Sequence, residues 1–467
     1  MSRILDADFW ATATVEDVAK TLDSGADISA RDKDGWTPLH WAAGFSKTPE
    51  MVAVLLDRGA DLESRAEDGS TPLHSAAGLS ETPEVVAVLL DRGADIEARD
   101  EYGSTPLHEA IESQTLEVVA LLLDRGADIE AYNEEESTPL HTAQYTDPKI
   151  FILLLVRGAD MKARDKDGTP ALVWAARFGE TPVIKELMLN QGADLEARAE
   201  DGWTLLHWAA AKSKTPKVVS LLLDQGADIK ARDNKGRTSL HSAAAFSKTP
   251  AIIELLLNRG ADIKAREEYG WTPLHEGARF NETPEVVGLL LDRGADLEAR
   301  VEDGRTSLHL ASGFSKTPAI IELLLDRGAD IKARDKDEWT PLHSAAAHSR
   351  TPEVVSLLLD KGADIEDTEG RWTPLHSATA NSETPAIIEL LLDRGADIEA
   401  RDNYGWTPLH SAAAHSKTPE VISLLLDRDV NAKAQDNEGK TPFDIAKENE
   451  HLRGSDVYWR LNEARYQ

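Results

Sequence analysis

The 467-residue chain contains no cysteine. That excludes a disulfide framework, a thiol nucleophile and a cysteine-ligated zinc, and gives no reason to expect an oxidising compartment. Basic charge is the second scarcity: Lys+Arg 51 against Asp+Glu 83 leaves a formal net charge of −32. Affinity for DNA or RNA needs clustered cations that displace counterions from phosphate, so no nucleic-acid partner is expected. Long apolar runs are missing as well. The stretch Ile150 to Val156 falls far short of the ~20 residues of a spanning helix. Met1 to Trp10 carries Arg3, Asp6 and Asp8 where a signal peptide would carry an apolar run. A soluble, cytoplasmic protein without membrane contact is expected. Aromatic residues make up only 6% of the chain, so a cluster of them carries information, while 41% hydrophobic residues suffice for packed cores.

What the chain has in abundance is itself. Thr-Pro-Leu-His stands at Thr37–His40, Thr71–His74, Thr105–His108, Thr138–His141, Thr272–His275, Thr340–His343, Thr373–His376 and Thr407–His410. Close variants occur at Thr204–His207, Thr238–His241 and Thr306–His309, and a last one at Thr441–Asp444. The box recurs every 34 residues with a few slips to 33 or 32, and Gly-Ala-Asp closes a unit twelve times, from Gly25 to Asp397. A period this regular means a solenoid, in which each layer buries its apolar face only against its neighbours.

One unit, Asp32 to Asp61, shows what each layer does. Asp34-Gly35 predicts a tight turn with glycine at positive φ. Thr37 is placed to cap a helix and Pro38 to occupy its first position, where no amide hydrogen is needed. Leu39, Ala42 and Ala43 make a face of small residues that lets neighbouring helices approach. Thr48-Pro49-Glu50 starts a second helix, whose buried stripe is Val52, Leu55 and Leu56, and Gly59 ends it.

This T-P-L-H-x-A unit resembles the ankyrin repeat, and the resemblance runs over nearly the whole chain. It implies an all-α ankyrin-repeat solenoid: helix-turn-helix units with turn fingers, stacked into one curved superhelix. The expected organisation is an N-terminal capping repeat over 1–30, twelve repeats over 31–434, irregular at 132–191, and a C-terminal capping repeat and tail helix over 435–467. A Ser-Lys-Thr-Pro turn, as at Ser46 to Pro49, replaces the family's usual Gly-His and accounts for 34 residues rather than 33.

Eleven of the 14 histidines sit in the box. They are not expected to bind metal, because equivalent atoms in successive layers lie ~8–10 Å apart and zinc requires nitrogens ~2 Å from one ion. The resemblance implies a structural brace to loop backbone and threonine. Gly439-Lys440-Thr441 lacks the glycine a phosphate-binding loop needs five positions earlier, no His-Glu-x-x-His pair exists, and Glu134-Glu135-Glu136 has no calcium-loop frame. No catalytic residue, metal site or cofactor is expected.

Function then falls to positions the repeat leaves free. The residue before the box is Trp36, Trp203, Arg237, Trp271, Arg305, Trp339, Trp372 or Trp406 in eight of the layers, and six of the 11 tryptophans occupy this slot. A second variable slot, near the end of the first helix, holds Phe45, Phe178, Phe246, Phe280, Phe314, His348 and His415 among others. Together these predict an exposed stripe of the residue types enriched at binding hot spots, with Trp36, Phe246, Phe280, Phe314 and the slot residues from Trp203 to Trp406 as contact residues. The alternative is a ladder of rings that serves stability alone.

Acidic turn tips recur layer after layer and would favour a basic partner, or simply solubility. From Thr215 onward, second helices alternate between Val-Val and Ile-Ile types, so surface chemistry recurs every two layers and suits an elongated partner. Near the irregular region Glu136 replaces the turn glycine and Val173 the box histidine, which predicts a weaker seam. The expected function is a monomeric, non-catalytic scaffold that binds a protein. Alternatives are a toxin or enzyme built in the irregular segment or C-terminal tail, and a bacterial effector delivered to a host.

Overall fold

The structure, a computed structural model, describes residues 3–80, 82–171, 195–368, 372–464 and 466, with the backbone alone at 145. The repeat folds as its residues dictate. Thr37 precedes a first helix, Pro38–Phe45, and Thr48 a second, Pro49–Asp57, each with proline at its start. Gly59 ends the second helix at φ 90 and Gly35 turns the finger at φ 77. A Cβ on Gly35 would also come within 2.8 Å of the Glu67 backbone nitrogen in the next finger, so this position needs glycine both for its conformation and for its space. The core alternates with the repeat: Leu39, Ala42 and Ala43 from the first helix, and Val52 and Leu55 from the second, are fully buried.

First helices pack on first helices of the adjacent layer, and second helices on second helices. Small residues permit this approach, as at Gly44, where an added Cβ would stand 3.2 Å from Leu79 Cδ1. Among the described residues the only β-type pairings are two isolated bridges, Arg164 with Pro170 and Arg198 with Thr204.

Contacts divide the chain into two compact units, Met1–Leu205 and Leu206–Gln467. The first opens with helices Ala7–Thr12 and Val15–Asp23. Thr14 and Asp17 cap the latter reciprocally, with Asp17 N–H donating to the Thr14 hydroxyl at 3.2 Å and Thr14 N–H to the Asp17 carboxylate at 3.0 Å. Trp10 is fully buried and its indole donates to the Ile4 carbonyl at 3.1 Å. Irregularity is visible at Pro139–Thr142, a first helix of one turn continued by the 3-10 segment Ala143–Tyr145. Glu136, standing for glycine, is held at φ 53. Val173 and Phe178 lie outside the described residues.

The second unit ends with helices Pro442–Ala446 and Asp456–Ala464, which close over Phe443, Leu452 and Leu461, all buried. Tyr458 packs its ring 5.0 Å from that of Phe443. Asp429, at another glycine position, is held at φ 57.

Candidate functional site

Where it is present, the box histidine ties its layer to the next. His40 Nδ1 accepts from the Thr37 backbone N–H at 3.1 Å and lies 2.8 Å from the Thr37 hydroxyl. Since Nδ1 accepts, Nε2 carries the proton and donates to the Ser70 carbonyl, at 3.0 Å, in the next layer. Thr37 therefore does more than the simple capping its sequence position suggests: it orients the ring. The pattern repeats at His241 to Trp271, His309 to Trp339, His343 to Trp372 and His376 to Trp406, between 2.8 and 3.1 Å. His275 varies it, donating to the Ala299 carbonyl at 3.0 Å. Burial is the largest cause that holds His108, His241, His275 and His309 down to about 4, hence neutral near pH 7. The brace expected from the resemblance is thus observed in its hydrogen bonds.

The backbone of slot residues Ser70, Trp271, Trp339, Trp372 and Trp406 is claimed by the preceding histidine, while the slot side chain differs from layer to layer, as Trp, Ser, Arg and Lys do.

In the second unit, the slot indoles lie against the histidine rings of their own boxes. Trp271, Trp339, Trp372 and Trp406 stand 6.3, 6.1, 6.5 and 6.5 Å from His275, His343, His376 and His410. They are half-buried, not the fully outward rings that the sequence suggested, because one side of each is spent on the box. The exposed part of the stripe is the second slot: Phe246 is 41% and Phe280 47% exposed, with ring centroids 6.3 Å apart. Phe314 is half-buried and stacks on His348 at 5.3 Å. The slot arginines turn to their own fingers, Arg237 Nε donating to Asp233 at 2.7 Å and Arg305 Nε to Asp303 at 2.8 Å.

The cation that does join the rings was missed by sequence reasoning. Arg279 lies over Trp271, Phe280 and Phe314 at 5.3, 5.0 and 4.3 Å. A signal existed: the fourth residue after the box histidine is small at Gly44, Gly78, Ala211, Ala245, Gly313, Ala347, Ala380 and Ala414, and only Glu112, Tyr145 and Arg279 break that rule, Arg279 alone as a cation. Lys212 extends the ladder, its ammonium 5.1 Å from the Phe246 ring.

In the first unit, Trp36 stands 4.9 Å from Trp41, which stacks on Phe45 at 5.4 Å and donates to Asp32 at 2.9 Å. Trp36 also lines an open cleft of about 720 Å³ with Tyr102, Glu109 and Lys166. Trp203 corrects the expectation of an exposed stripe. It is only 6% exposed, in a finger closed by the bridge between Arg198 and Thr204, and such an indole has little area to offer a partner.

A second feature unseen in the sequence is a line of guanidinium groups through the fingers. Arg266 Nη1 donates to the Gly270 carbonyl of its own finger and to the Arg300 carbonyl of the next, both at 2.8 Å. Arg65, Arg164, Arg232 and Arg401 do the same, so most finger arginines are structural. Arginines after the second helix pair one layer back instead, as Arg58 with Asp23, Arg259 with Asp224 and Arg327 with Asp292, all at 2.7 Å. These exposed pairs contribute little to stability.

Two carboxyls stand out. Glu109 and Glu276, each following a box histidine, are pushed up to about 7, chiefly by burial; Glu276 is 5% exposed. Among the described residues no three ligand-type side chains gather as a metal site, and no helix is long and apolar enough to cross a membrane.

Family comparison agrees with this geometry. The model described as "Ankyrin repeats (3 copies)" matches residues 10–100, 74–165, 140–233, 210–301, 240–335 and 308–402, and "Ankyrin repeats (many copies)" matches 391–446. No curated protein matches the chain. Ankyrin repeats generally mediate protein–protein interaction, and the proteins built from them are typically non-catalytic. With its layers, braces and family matches in agreement, the chain belongs to the ankyrin-repeat family.

Proposed function

We propose that the second unit captures a protein partner on the ring ladder that runs through Phe246, Phe280 and Phe314, flanked by Arg237, Trp271, Arg305, Trp339, Trp372 and Trp406. The observation that carries this reading is the pair Phe246 and Phe280, both more than two-fifths exposed although each lies against another ring. Stability alone would be served by burying them. Exposed phenyl rings beside half-buried indoles and a stacked guanidinium supply the rigid apolar area and the donor that anchor interfaces. Arg279 strengthens the case, since its guanidinium lies on three rings and is held below its usual range by burial, a cost that a partner carboxylate would offset. The helices over 435–467 act in this reading as the terminal cap that shields the last layer.

The test is capture by crosslinking and mass spectrometry in the native cell, comparing the parent chain with Phe246→Ser/Phe280→Ser. Both side chains are exposed, so the fold should hold, as circular dichroism would verify. Partners retained by the folded double variant would mean the ladder is merely structural.

A further inference from the structure

Near the C-terminal end of the second unit, an open cleft of about 800 Å³ lies between Trp372 and Trp406. Its rings are preset. The Trp372 indole donates to Asp402 at 3.1 Å and the Trp406 indole to Asp436 at 3.2 Å, each one layer on. The His415 ring bridges them at 5.9 and 5.8 Å. Tyr404 stands at the mouth, largely exposed. Asp402 is itself held, its other oxygen accepting from the Tyr404 and Trp406 N–H groups at 2.8 and 2.7 Å. Around these rings the lining adds Glu438, Asp444 and Glu448; Glu438 is paired with Lys440 at 2.9 Å and Asp444 with Lys447, just outside the lining, at 2.8 Å, which leaves carboxylates in excess of cations. Burial holds His415 below its usual range, so it adds no positive charge near pH 7.

Resting on the proposed protein-binding reading, we infer that this cleft receives an arginine side chain from a basic segment of the partner. Indole faces attract cations through their quadrupole, and carboxylates at the same wall neutralise the charge. An anion would meet five carboxylates. A neutral apolar group would strip water from those carboxylates and give nothing in return. Arginine suits the site better than lysine because its plane stacks on a ring while its fork reaches a carboxylate, and it sheds water more readily. The formal charge of −32 adds attraction at long range, and the cleft supplies the short-range recognition.

The experiment follows the indole N–H signals of Trp372 and Trp406 by NMR on the full ¹⁵N-labelled chain. The probes are acetyl-Gly-Gly-Arg-Gly-Gly-amide, its lysine and citrulline counterparts, and spermine. Expected are saturable shifts of these two signals with the arginine peptide, several-fold weaker binding of the lysine peptide and no response to citrulline. Glu438→Gln/Glu448→Gln should weaken the arginine peptide by about tenfold at low salt. Trp406→Phe should retain binding that Trp406→Leu loses, with circular dichroism checking that both fold. Citrulline binding as well as arginine, spermine binding more tightly than the peptide, or shifts spread evenly over all indoles would each overturn the inference. Partner capture by the Phe246→Ser/Phe280→Ser chain is scored separately. A silent cleft together with capture lost in that variant overturns the arginine site and leaves the ladder standing. Retained capture overturns the ladder itself.

Discussion

His376 Nε2 donates to the backbone carbonyl of Trp406 at 3.0 Å, across 30 residues of chain. One imidazole thereby joins two layers and fixes the backbone that carries the next slot side chain, whatever that side chain is. The ring must be neutral to do so, since Nδ1 has to accept from Thr373 N–H, at 3.3 Å.

Replacing such a histidine should therefore cost more than replacing the indole it positions. For His343→Ala, a buried N–H, a hydroxyl and a carbonyl lose their partner and a cavity opens, a loss of about 2–4 kcal/mol. Urea titration followed by circular dichroism measures this. A loss equal to that of an exposed change such as Glu353→Gln would remove the brace from the account of stability.

Acid should unfold the chain through these rings. His108, His241, His275 and His309 are depressed in the folded state, so their contribution is complete above their unfolded value of 6.5 and is lost as pH falls toward the folded value of about 4. Glu109 and Glu276 act oppositely: raised to about 7, they favour the fold fully below 4.5 and lose that contribution as pH rises through 7. Glu276→Gln should raise the melting temperature at pH 8 and change it much less at pH 5. An equal shift at both values would mean that ionisation of Glu276 is not involved.

Glycine restored to its turn positions should stabilise. Glu136, Glu338 and Asp429 sit at φ 53, 63 and 57, where a side chain costs roughly 1–2 kcal/mol. Each change to glycine should recover about 1 kcal/mol or less, because glycine also loosens the unfolded chain. The reverse substitution, Gly304→Glu, should be far costlier, since its Cβ would meet the Lys336 backbone nitrogen at 2.8 Å. Thermal melts of the four variants rank them, and a destabilised Glu136→Gly would contradict the expected strain.

The two arginine lines should separate in stability. Arg266→Ala removes the donor shared by two finger carbonyls and should cost about 1–3 kcal/mol. Arg327→Ala breaks an exposed pair with Asp292 and should cost about 1 kcal/mol or less, shrinking with salt. Equal losses in low and high salt would show that the finger line is no stronger than surface pairing.

Local chemistry was enough to determine the layer: proline at the helix start, glycine where φ is positive, threonine before histidine, small residues where helices touch. These choices act within a few residues of one another and recur at one period, so the sequence by itself determined the repeat and its two helices. Tertiary structure alone decided what happens 30 to 35 residues away. There the guanidinium of Arg266 finds a carbonyl of the next finger, Glu276 loses its water, Trp203 is covered while Phe280 stays open, and Trp372 and Trp406 are drawn to carboxylates one layer on. Whether a side chain is a strut or a surface depends on the distance between layers, and a one-dimensional pattern does not contain that distance.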